Sequence, residues 1–153
     1  MEALCNQEGR TDSMKTSTKI LLATIAVIAA GLVYAWPYVK MDFAESANYT
    51  EQDKREYEFF TPELLKKIPR VSENYRFGYS NVTGPDLLIY DVTFSGTTDA
   101  SRIKTYLEEN GYKRLGVCDI EGECWQGADP KTSVSVGVVS KPETVIVSVV
   151  EKP

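Results

Sequence analysis

Hydrophobic and polar positions follow three different rules along this chain. Residues 20–39 are twenty consecutive positions without a charge, the length that about 30 Å of hydrocarbon needs at 1.5 Å per helical residue. Alanine, glycine and leucine occur all round that helix, so no polar face exists to meet water, and the run predicts a membrane-spanning segment rather than a core helix. A polar stretch follows, and then short helical patterns. Tyr57, Phe59 and Phe60 form one, and Leu64, Leu65 and Ile68 another. Between them Thr61-Pro62-Glu63 reads as a hydroxyl N-cap, a proline in the first turn and an acid at the positive end, while Pro69 stops the second pattern.

From Glu73 the apolar positions alternate. Tyr75, Phe77 and Tyr79 interleave with Arg76, Gly78 and Ser80, which predicts a half-buried strand. Residues 87–94 predict its partner across the Gly84-Pro85-Asp86 turn. Ile103, Tyr106 and Leu107 return to helical spacing, with Thr98 or Asp99 as the cap and Asn110-Gly111 as the stop. Residues 112–118 predict a third strand, and the β-branched runs 132–139 and 144–150 two more. The expected fold class is α+β: an N-terminal transmembrane helix, then a small antiparallel sheet of four or five strands with helices packed on one face. The expected organisation is a tail at 1–19, unstructured over 1–13, a signal-anchor helix at 20–39, a connector with short helices at 41–72, and an exported domain at 73–153.

Charge gives the span a direction. Lys15 and Lys19 precede it, whereas Lys40 on the far side is outnumbered by Asp42, Glu45, Glu51 and Asp53. Orientation follows the lysines, which predicts a cytoplasmic N-terminus, an inner (plasma) membrane span and a periplasmic or other extracytoplasmic C-terminal domain. Tyr34, Trp36 and Tyr38 then form an aromatic belt at the outer membrane interface. A cleaved signal peptide competes with this reading, with Val33-Tyr34-Ala35 as the small-residue site and Trp36 as the new N-terminus. The apolar run continues past that site, which favours an uncleaved anchor; Met14, just before the lysines, would also serve as a start. Residues 41–153 carry thirteen basic and nineteen acidic side chains, net −6. That balance lacks the footprint of a nucleic-acid binder.

Candidate chemistry is sparse. The chain has no histidine, which removes the commonest general base and the commonest transition-metal ligand. No phosphate-cradling glycine loop, metal-ligand spacing or catalytic set is present, so no catalytic residue, metal or cofactor is expected. Cys118 and Cys124 are the two cysteines beyond the span and are expected to form a disulfide that staples a hairpin; Cys5 lies before the span. Asp119, Glu121 and Glu123 cluster at that hairpin beside Trp125. They are expected to steer a cationic protein partner, with Trp125 either its apolar anchor or a core residue packed on the disulfide. The functional expectation is a non-enzymatic, single-pass envelope protein whose exported domain binds another macromolecule. An inhibitor or immunity protein against an exported toxin is one concrete form. An accessory structural subunit of an envelope machine is the alternative, and a carboxylate-dependent cell-wall enzyme the weakest of the three.

Overall fold

The computed structural model describes residues 9–116 and 122–152, with side chains from Thr16 onward. The chain divides into two compact units, residues 1–43 and 44–153. In the first, a single helix α1 (Gly9–Asp42) starts inside the stretch expected to be unstructured. Its portion Thr16–Asp42 is long and apolar enough to cross a membrane. Tyr34 and Tyr38 meet one helical turn apart, their ring centres 6.2 Å from each other, and Lys40 lies 5.8 Å above the Trp36 ring.

The second unit runs β1 (Ser46–Tyr49), α2 (Lys54–Phe60), α3 (Glu63–Lys67), β2 (Asn74–Val82), β3 (Leu87–Ser95), α4 (Ser101–Glu109), β4 (Lys113–Leu115), β5 (Glu123–Gln126), β6 (Thr132–Ser140) and β7 (Glu143–Glu151). All strands join one antiparallel sheet in the order β1-β2-β3-β7-β6-β5-β4. The chain lays down β1 to β3, crosses by α4 to the far edge, and meanders back until β7 closes the gap beside β3. Seven strands, not four or five, form the sheet. The three extra or shortened ones explain the difference. β1 lies in the polar stretch expected to be a connector, β5 in the expected disulfide turn, and β4 keeps three residues of the predicted 112–118. Strands of three or four residues show too little alternation to register as a period.

Cross-strand register assigns the two faces. Phe77, Val92, Val147 and Val136 line up across four strands, as do Tyr79, Tyr90, Val149 and Val134. Most of these are fully buried, as are Ile103 and Leu107 one turn apart on α4. Phe60 of α2 stacks on Tyr79 at 4.5 Å and Tyr57 meets Phe77 edge-on at 5.2 Å, so α2 covers this inner face. On β5, Glu123 belongs to the same face by register with Val136, and Lys104 of α4 reaches it at 2.8 Å.

Local capping departs from the sequence pattern. Pro62, not Thr61, is the N-cap of α3, and the Thr61 hydroxyl instead donates to the buried Tyr49 Oη at 3.1 Å. Burial pushes the Tyr49 phenol up to about 12, so the pair stays neutral. Ala100 caps α4, while Asp99 accepts the Ser101 N–H at 2.9 Å. Arg70 fastens this layer to the sheet. Its guanidinium donates to the Leu65 and Ile68 carbonyls at 3.1 and 2.8 Å and to Glu51 Oε1 at 2.5 Å, and it lies over the Tyr75 and Phe77 rings.

Candidate functional site

The opposite face of the sheet carries a different composition. Register places Asn48, Gly78, Asp91, Ser148, Ser135, Cys124 and Leu115 in one row across all seven strands. Ser135 and Ser148 are two of the three buried polar residues among those described. Their short side chains sit below longer neighbours such as Ile146 and Val150 on the same face, which makes the row a floor. Asp91 stands third in it, beside the central Ser148. Its carboxylate leans over β2 into the space a side chain at position 78 would need: a Cβ there would lie 2.5 Å from Asp91 Oδ1. Glycine at 78 is therefore what gives the carboxylate its place.

The electrostatics of Asp91 are unfavourable. Burial pushes its carboxyl above the usual range, opposed by a hydrogen bond from Thr93 and by the more distant charge of Arg76. No salt bridge among the described residues reaches it. Thr93 and Arg76 offset only part of the desolvation, so the charged form of this half-buried carboxyl is disfavoured where it stands.

Two hollows open toward one end of the sheet. One, of about 310 Å³, is lined by Asn74 and Arg76 of β2 and Thr93 and Ser95 of β3. The other, of about 350 Å³, is lined by Ser135, Gly137 and Val139 of β6 and Ile146 and Ser148 of β7. Ser148 is the direct cross-strand neighbour of Asp91.

The residues singled out by sequence fall elsewhere. Cys124 is disulfide-bonded and 5% exposed, on the same face as Asp91. Cys118, Asp119 and Glu121 lie outside the described residues. Glu123 is not a free steering charge: Lys104 at 2.8 Å and Arg114 at 3.3 Å share its Oε1, and the Lys104 hydrogen bond lowers its carboxyl. Trp125 is 2% exposed and pairs by register with Val134 on the inner face. It is a core residue, out of reach of a surface partner, because the alternation of β5 sends Cys124 one way and Trp125 the other. Its indole Nε1 is buried without an acceptor among the described residues. The aromatic trio Tyr34, Trp36 and Tyr38 lies on α1 with Trp36 exposed.

Asp91 was passed over because its neighbours Gly78, Ser148 and Ser135 come from three separate strands. The one visible signal was an acid inside an otherwise apolar β3, at residues 87–94. No family model, curated protein or solved structure matches this chain.

Proposed function

We propose that this is a single-pass membrane protein whose C-terminal domain, held outside the cytoplasm, binds another macromolecule across the Asp91 face of its sheet. The observation that carries the reading is Asp91 itself, a half-buried acid beside Gly78 and Ser148 on a sheet face, raised by desolvation that Thr93 and Arg76 do not fully offset. A cationic side chain from a partner would add to the counter-charge that Arg76 supplies. The direction of export rests on the lysines before the span and the acids after it. An inhibitor or immunity protein that captures an exported toxin is the concrete form of this function.

Photo-crosslinking in native membranes tests it. A benzophenone side chain in place of Thr144, on the Asp91 face, is expected to yield one discrete protein adduct; the same group in place of Glu108, on exposed α4, is expected to yield none. Asp91→Asn is expected to weaken the adduct. An adduct formed only from position 108, or one indifferent to Asp91→Asn, overturns the proposal.

A further inference from the structure

Across the neighbouring strands β1, β2, β3, β7, β6 and β5, register assigns only two charged positions to the Asp91 face, Arg76 and Asp91 itself. Every other position there is a hydroxyl, an amide, a glycine, a cysteine or an aliphatic residue. The two charges are diagonal neighbours. Arg76 pairs with Thr93 and Asp91 with Gly78, which sets their backbones about 7–8 Å apart. They do not close into an ion pair, since no salt bridge among the described residues includes either. Arg76 is exposed and acts on Asp91 only through its charge. It lines the polar hollow of about 310 Å³ together with Asn74, Thr93 and Ser95, an amide and two hydroxyls that can donate to an anion. Glu73, exposed just before β2, also borders that hollow.

Each charge limits what the other can bind. A base set on Asp91 alone would stand one diagonal from Arg76, a like charge. An acid set on Arg76 alone would cancel the charge that partly offsets the burial of Asp91. A partner that brings both groups meets each charge with its opposite. We infer that the protein bound by this face presents an acidic and a basic side chain about 7–8 Å apart, the acid entering the hollow to meet the Arg76 guanidinium and the base lying over the Asp91 carboxylate. Glu73 and the net −6 of residues 41–153 favour a partner whose bases outnumber its acids around that pair. The same excess of acid disfavours a second copy of this chain as the occupant. The inference rests on the binding function proposed above and specifies the charges that the partner carries.

Position 144 is the cross-strand neighbour of Ser95 in the hollow, so the benzophenone placed there reports on this contact. In native membranes, Arg76→Gln is expected to lower the yield of the adduct by about fivefold or more, and Arg76→Lys to keep most of it. The sign separates the readings, because a partner that carries only a base would bind better once Arg76 is neutral. Ser95→Asp supplies the hollow with an acid of its own and is expected to give the same loss. Thermal melting of the full-length variants checks that they fold; should Arg76→Gln not fold, Ser95→Asp alone decides. A yield that rises or stays level in these variants overturns the inference, and if Asp91→Asn still weakens the adduct the binding function stands. An adduct indifferent to Asp91→Asn overturns that function and the inference with it. An adduct of twice the mass of the chain overturns the inference too, because the face would then serve a second copy.

Discussion

Asp91 and Arg70 show two opposite ways of placing a charge against this sheet. Arg70 is wrapped: three carbonyls, Glu51 and two aromatic rings surround it, and its hydrogen bond to Glu51 holds that carboxyl below the usual range. Asp91 is raised by burial, with a hydrogen bond from Thr93 and the charge of Arg76 only partly offsetting it. The sign for Asp91 follows from linkage. With a folded pKa above the unfolded one, the native state binds protons more readily, so the penalty is full above the folded pKa and fades as pH falls through it toward the ordinary carboxylate value of about 3.9. Asp91→Asn is therefore expected to raise the thermal midpoint of the full-length protein at pH 7 by roughly 2–5 °C. The gain should vanish near pH 4. A variant less stable than the parent at pH 7, or an equal gain at both pH values, would show that the carboxylate is not strained. Neither arrangement was legible in the sequence. Arg70 is one more basic residue after Pro69 and Asp91 an interruption in a strand until tertiary packing and register bring up partners more than ten positions away, Glu51 for the one and Gly78 and Ser148 for the other.

Elements with long repeats were legible and short ones were not. The nine-residue strands β2, β3, β6 and β7 all lie where alternation or β-branched runs placed strands, and α4 lies where Ile103, Tyr106 and Leu107 share a face. β5, at four residues, gave no period, and with it went the sidedness of Trp125. Once the register with β6 is known, the tryptophan has to face α4. Trp125→Ala is expected to destabilise the domain by about 3–5 kcal/mol, the usual cost of emptying a buried aromatic site. Trp125→Phe should cost far less, about 1.5 kcal/mol or under, because it keeps most of the ring volume and deletes an N–H that has no acceptor. Denaturant titration of the protein in micelles measures both. Equal losses for the two variants would point to a hidden partner for the indole nitrogen.

On the scale of the whole molecule, the chain joins an apolar helix to a domain of net negative charge. The apolar helix was legible because twenty uncharged positions in a row have the length and composition to cross a membrane. Its fate is a matter of processing: intact mass of the protein purified from membranes is expected to include α1, whereas a mature N-terminus at Trp36 would show that it is cleaved. The topology of the second unit was not legible, since nothing in local pattern says that β3 and β7 are neighbours across half a hundred residues. That pairing has a consequence for biosynthesis. The middle of the sheet is built from a strand that leaves the ribosome after all the others, and Val145, Val147 and Val149 arrive with it. Until then β3 and β6 face a gap where the core should be, so a partly made chain has no complete sheet. The cost is an interval in which the apolar residues of β3 and the valines of β6 lie bare, the kind of exposed surface that makes incomplete chains prone to aggregate.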